Sequence, residues 1–290
     1  MTTLAAAAAR AKTRLGSLTA TVATVIIAAV WTIPTFGLLL SSFRPEAQIK
    51  STGWWTFFTD PRLTLDNYTQ VLSGDSAGLG SIFVNSVVIA VPAVIMPILL
   101  AVLAAYAFAW IRFPGRDLLF LAVFAVQIVP VQVALIPLLK LFVSLHVAGT
   151  FWTLWIAHTT FALPLAIYLI HNFIAKLPAE LIEAARVDGA THAAIIWRIV
   201  IPLSMPGIAA FGVFQFLWVW NDLLVSLAFA GGAPQIAPLT VRLAQLAGTN
   251  GTQWQLLSAG AFIAIAVPLV VFIALQRYFV RGLLTGSSKS

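Results

Sequence analysis

Cysteine is absent from this chain, which excludes disulfide staples, thiolate metal sites and thiol nucleophiles. Charge is almost as scarce. Only 9% of residues are Asp, Glu, Lys or Arg, against about 25% in a soluble domain. So little charge cannot furnish a water-facing shell, which rules out a soluble enzyme, a disordered chain and a free nucleic-acid binder. The Gly-x-x-x-x-Gly-Lys-Ser/Thr loop that cradles nucleotide phosphates is also missing. The nine Asp and Glu supply no acid–base pair or nucleophile–base set outside the loops, so no catalytic residue is expected. His146, His158, His171 and His192 show no i,i+4 pairing and no adjacent carboxylate cluster. They read as packing or interfacial residues rather than metal ligands.

What the sequence has is apolar mass: 61% of its 290 residues are hydrophobic, with a mean hydropathy of +0.99. These residues fall in long blocks rather than in alternation, the pattern that lipid demands. Six blocks reach the roughly 20 residues needed to cross a bilayer: Ser17–Ser41, Ile82–Ile111, Leu118–Leu139, Thr150–Phe173, Pro206–Ala230 and Leu256–Val280. The second is longer than a perpendicular span and implies tilt or an extension beyond the bilayer. Pro34, Pro92, Pro97, Pro130, Pro137, Pro164 and Pro268 lie in or beside the spans, as kinks or as gating hinges. The first block is too long for a signal peptide and carries no evident cleavage site, so it reads as an uncleaved span behind a tail of residues 1–16.

The few charges are asymmetric. With both termini in the cytoplasm, eleven Lys and Arg face inward, from Arg10 to Lys289, and five face outward: Arg44, Lys50, Arg62, Lys140 and Arg242. That bias sets this orientation. The outer segment 42–81 holds Trp54, Trp55, Phe57 and Phe58, suited to the headgroup boundary or to a partner surface. Thr64 reads as the cap of a short helix, and another short helix is expected after Pro238. The sequons at Asn67 and Asn250 are taken as chance.

One inner segment, residues 176–202, departs from its surroundings. Pro178 suits a helix start, and Glu180 and Glu183 lie toward the positive end of the helix dipole. Glu183 and Arg186 are spaced to pair at i,i+3. Gly189 suits a left-handed stop, Thr191 a second cap, and Pro202 the end of a second short helix. Three readings fit this helix–turn–helix: a connecting loop, a DNA-binding element, or a docking element that passes motion into the spans. Glu180, Glu183 and Asp188 offset its few bases and disfavour DNA.

The spacing Glu183-Ala184-Ala185, Gly189, then Ile199-Val-Ile-Pro202 resembles the EAA loop of ATP-binding-cassette importer permeases, with Ile201 in place of the usual Leu. The tract from Pro178 to Ala190, Trp220-Asn221-Asp222 and the ending from Gln276 to Gly286 extend the resemblance to the smaller, maltose-type carbohydrate permease subunits. Gly53-Trp54-Trp55 is similar to their α-glucoside branch. The resemblance implies an all-α membrane protein of the type I importer permease fold. Six transmembrane helices would occupy 17–281, and a short tail 282–290 would touch the ATPase or be disordered. It implies docking to an ATPase through Glu180, Glu183, Ala184, Ala185, Asp188, Gly189, Ile199 and Pro202. It further implies two ATPase subunits that hold ATP and Mg, a second homologous permease, an extracytoplasmic sugar-binding protein, and a place in a bacterial inner membrane. No cofactor and no nucleic acid would bind this chain.

Asp222 is the one acid read as lying within a span, where a carboxylate costs about 2.5–3.5 kcal/mol on insertion scales. Two roles fit it: lining a sugar path with Gln215, Trp218 and Asn221, or a structural hydrogen bond between helices. Gln127 and Gln132 carry the same two readings. The rival function is an ion-gradient-driven secondary transporter, which would need more intramembrane titratable groups and an inverted repeat.

Overall fold

The computed structural model describes residues 2–73, 79–230, 233–248 and 253–287, with side chains over 18–73, 80–230, 233, 235–247 and 253–274. Every regular element among them is helical. Five helices are long and apolar enough to cross a membrane: Leu18–Ser42, Gly80–Trp110, Phe151–Ile174, His192–Asn221 and Trp254–Ala274. A sixth span is a bent pair, Arg116–Val126 and Val131–Ser144, meeting at 98°. The chain is therefore a multi-pass membrane protein.

Helix α1 (Thr2–Ser42) leads into α2 (Glu46–Ser51), a 3-10 turn (Trp54–Phe58) and α3 (Asp66–Ser73). Helix α4 (Leu79–Trp110) follows, then the pair α5 (Arg116–Val126) and α6 (Val131–Ser144), and α7 (Phe151–Ile174). The short α8 (Ala179–Val187) precedes α9 (His192–Ile195), a π turn (Ile196–Val200) and α10 (Ile201–Asn221). The chain closes with α11 (Leu224–Ala230), α12 (Leu239–Gly248) and α13 (Trp254–Ser287).

Helices α4, α7 and α10 form the packed centre, and α13 lies on α10 with α1 against α13. One cluster fills the end near α8, with Ala101, Tyr106, Ile170, Ile174, Ile195, Val200 and Phe211. A second fills the opposite half around Ile89, Leu154, Trp220 and Phe229. The α7–α10 approach is close because Gly207 has no side chain: a Cβ there would lie 2.3 Å from Phe173 Cδ2. Small residues at such crossings let apolar helices touch where lipid supplies no hydrophobic drive between them.

Three expectations need correction. The third span is not one helix over Leu118–Leu139, because Pro130 stands extended at φ −61°, ψ 133° as the N-cap of α6 and breaks the chain after Val126. The fifth span does not run unbroken to Ala230, since α10 ends at Asn221 and Asp222 is extended at ψ 130°. Nor does Pro202 end a second short helix. Helix α9, the π turn and α10 run together as one span, His192–Asn221. Pro202 has no N–H to give, and the preceding turn widens so that Ile201 N–H reaches Ile196 O. A π turn accommodates a proline ring that a regular turn would exclude.

The outer connection after α1 is organised by Arg44, which the charge count treated as a solvent-facing cation. It is 1% exposed and donates to Gly53 O at 2.9 Å, Thr52 Oγ1 at 2.8 Å and Thr56 Oγ1 at 2.9 Å. Asn67 is buried with its amide donating to Ser42 O and Arg44 O, which leaves no room for a glycan on that sequon. Asn250 lies outside the described residues. Thr64 Oγ1 accepts from Asp66 N–H at the start of α3, as its capping role requires. Helix α12 follows Pro238 as expected, and Ser86 Oγ of α4 accepts its first N–H, from Leu239, at 2.8 Å.

Candidate functional site

Two groups of candidate residues stand at opposite ends of the α10 span. The first is the segment 176–202. Helix α8 begins after Pro178, its N-cap at φ −57°, and carries Glu180 in its first turn. It is stopped by Gly189 at φ +78°, with Gly189 N–H to Arg186 O at 3.0 Å and Ala190 N–H to Ala185 O at 2.9 Å. Thr191 Oγ1 then accepts from Ala194 N–H at 3.3 Å and starts α9. The stop and the restart follow directly from a residue free of Cβ strain and a side-chain cap.

Helix α8 has one buried residue, Ile182, at 1% exposure. It sits in the cluster formed by Tyr106 of α4, Ile174 of α7, and Ile195 and Val200 of the α10 span. Ala185 and Ile199 pack against the same cluster, half-buried. Glu180, Glu183, Ala184, Asp188, Gly189 and Pro202 are exposed, as is Val187 at 88%. The segment thus offers an exposed ridge whose underside is keyed into three spans. Displacing that ridge must move Ile182, and a close-packed core transmits such a shift rather than absorbing it.

The expected Glu183–Arg186 pair does not form. Arg186 Nη2 instead donates to Trp110 O at 3.3 Å, the last carbonyl of α4. A cation at a helix C-terminus meets the negative dipole end and an orphan carbonyl, which a surface carboxylate four atoms away in solvent does not outbid. A second tie between α4 and this segment is the Tyr106 hydroxyl, 2.8 Å from His192 Nδ1.

The other group lies at the α10–α11 break. Asp222 accepts from Val225 N–H at 3.1 Å, Ser226 N–H at 2.8 Å and Ser226 Oγ at 3.0 Å. Its carboxylate therefore caps α11, while its own carbonyl accepts from Thr240 Oγ1 at 2.6 Å and anchors the chain before α12. His158 of α7 stands 3.7 Å from the carboxylate, fully buried, with Trp218 edge-on at 5.5 Å. Spacing could not show this: His158 and Asp222 are far apart in sequence. The usable signal was that a lone acid at depth needs a polar partner.

The remaining path candidates separate. Gln215 is buried and donates to Ala93 O at 3.1 Å, joining α10 to α4. Asn221 is exposed and its amide returns to Leu217 O of its own helix. Gln127 stands at the α5–α6 bend and Gln132 opens α6, both away from Asp222's partners. Among the described residues no group of three or more His, Asp or Glu is placed to hold a metal.

Residues 97–285 match the family model described as the binding-protein-dependent transport system inner membrane component. An osmoprotective compounds uptake permease protein of Synechocystis sp. is 54% identical over 93% of this chain and 91% of its own. An alpha-glucoside transport system permease protein of Rhizobium meliloti is 50% identical, over 87% of this chain and 67% of its own. Among solved structures, a bacterial transporter for import of the acidic polysaccharide alginate superposes with a TM-score of 0.76 at 20% identity. That match covers 92% of this chain and 97% of that one, and it establishes the shared importer permease fold.

Proposed function

The chain belongs to the binding-protein-dependent transport system inner membrane components, the permeases of ATP-binding-cassette importers, and from that premise we propose how it works and what it carries. It forms half of a translocation pathway with a second, homologous permease and imports a small glucoside or related neutral osmolyte delivered by an extracytoplasmic binding protein. The substrate class is supported by the relatives that carry alpha-glucosides and osmoprotective compounds. The chain itself does no chemistry. ATP and Mg belong to two ATPase subunits, and the face carrying α8 lies in the cytoplasm with both termini, as the charge bias supports.

The observation that carries the reading is Ile182. The helix that exposes Glu180, Glu183, Ala184 and Asp188 is anchored by this one side chain to α4, α7 and the α10 span. ATPase closure pushes α8, Ile182 carries the push into the bundle, and the spans change between inward- and outward-facing arrangements as packed bodies. Gly189, Ile199 and Pro202 fix where the lever ends and the span begins. The tail from Arg281 adds a second contact to the ATPase.

Copurification with uptake tests this. An ATPase and a second permease should come with the tagged chain, and uptake of a radiolabelled α-glucoside should require ATP and the binding protein. Uptake by the chain alone, driven by an ion gradient, would sink it. The carboxylate of Asp222 is occupied by three helix-cap hydrogen bonds, which does not favour that ion-coupled alternative.

A further inference from the structure

A pocket of about 990 Å³ opens between the α4–α5 turn and α8. Its wall carries three guanidinium groups, Arg112, Arg116 and Arg186, and one carboxylate, Glu183, with His192 beside them. Arg112 has no hydrogen bond or ion pair among the described residues. Arg186 commits one N–H to Trp110 O, and Arg116 commits Nε to Asp117, whose carboxylate is 88% exposed. Trp110 lines the same pocket, and its indole Nε1 is buried without an acceptor. Helix α5 starts beside it at Gly115 with no side chain capping its first N–H groups.

The wall is thus rich in donors and poor in acceptors. A guanidinium presents five N–H groups and accepts none, and an indole N–H only donates. Several forked donors around one space match a tetrahedral oxyanion, to which arginine bonds in bidentate fashion. A single carboxylate would leave most of these donors unmet. The location agrees, because the pocket lies where two spans end, α4 at Trp110 and α5 at Arg116. Basic pockets at that depth suit headgroup phosphates.

The geometry points to a phosphate site: this pocket takes the phosphate of an anionic ligand, either a phospholipid headgroup or a free phosphorylated compound. Held between the α4–α5 turn and α8, the ligand ties the docking helix to the second span and tunes how freely α8 moves. The inference rests on the placement of this face in the cytoplasm proposed above.

The test uses the assembled transporter in nanodiscs of phosphatidylcholine, with or without phosphatidylglycerol. Native mass spectrometry reads retained lipid, and tryptophan fluorescence reads titration with glucose 6-phosphate. The Arg112→Gln/Arg116→Gln pair is compared with wild type and with Arg112→Lys/Arg116→Lys, which keeps the charge. A headgroup ligand gives phosphatidylglycerol retention that falls about tenfold in the Gln pair and is largely kept in the Lys pair. A soluble ligand gives a saturable glucose 6-phosphate response in phosphatidylcholine alone, lost in the Gln pair. Equal retention and equal titration in all three forms overturn the site. So does a Gln pair that sheds only the ATPase, which would make these arginines a protein contact. A wild-type preparation that retains phosphatidylglycerol but lacks the ATPase counts against the docking reading alone.

Discussion

The Tyr106 hydroxyl lies 2.8 Å from His192 Nδ1, across 86 residues of sequence. The bond joins the end of the second span to the first residue after the Thr191 cap, so the docking helix and the α10 span leave the bundle under a common restraint. Ile182 lies in the same cluster as Tyr106. The lever is therefore held at its base by one hydrogen bond and one apolar plug.

Removing the hydrogen bond alone should loosen that base. Tyr106→Phe keeps the ring and deletes the hydroxyl, at a cost of about 0.5–1.5 kcal/mol. Assembly should survive while binding-protein-stimulated ATPase activity falls relative to basal activity. An unchanged stimulation ratio would show that the tie does not transmit.

The stop at Gly189 makes a sharper demand. A Cβ there meets nothing within 4 Å, so any penalty comes from the backbone at φ +78° rather than from crowding. Gly189→Val should cost on the order of 1–2 kcal/mol, and Gly189→Asn, whose side chain tolerates this conformation, clearly less. Sugar uptake should follow that order. Equal uptake by the two variants would refute a conformational role.

At the other end, Asp222 should behave as a cap. Asp222→Ala should cost roughly 1 kcal/mol, and Asp222→Asn or Asp222→Ser much less. Thermal unfolding of the purified complex and competition uptake with several sugars separate the two readings. A cap leaves the order of sugar preference unchanged in all three variants. A residue lining the sugar path alters that order in Asp222→Asn.

The α7–α10 contact predicts a paired effect. Gly207→Ala places a methyl against the Phe173 ring and should destabilise by about 1–3 kcal/mol. Phe173→Leu should recover part of that loss in the double variant. If the double variant is as unstable as the sum of the singles, the two residues do not compete for one space.

The absence of cysteine makes topology directly readable. Val187→Cys puts a single thiol at a position 88% exposed on α8. An impermeant maleimide should label it in inside-out vesicles and in intact spheroplasts only after permeabilisation. Addition of the ATPase should protect it. Labelling of intact spheroplasts would reverse the proposed orientation.

Much of this molecule was legible in the residue order. Scarce charge and long apolar blocks determined a bundle in lipid, because a span satisfies its own backbone only as a helix. The start and stop of α8 were legible too, since Pro178, Gly189 and Thr191 act on their own backbone and its nearest neighbours. Tertiary structure decided what depends on distant partners. It buried Arg44 under the turn at Gly53, sent Arg186 to the carbonyl of Trp110 instead of to Glu183, and spent Asp222 on capping α11 beside His158. It also carried the chain through Pro202 by a π turn where local rules expect an end. The division has one physical cause. Caps, turns and apolar runs are satisfied within a few residues of sequence, whereas a buried polar group takes the acceptor that packing brings within reach.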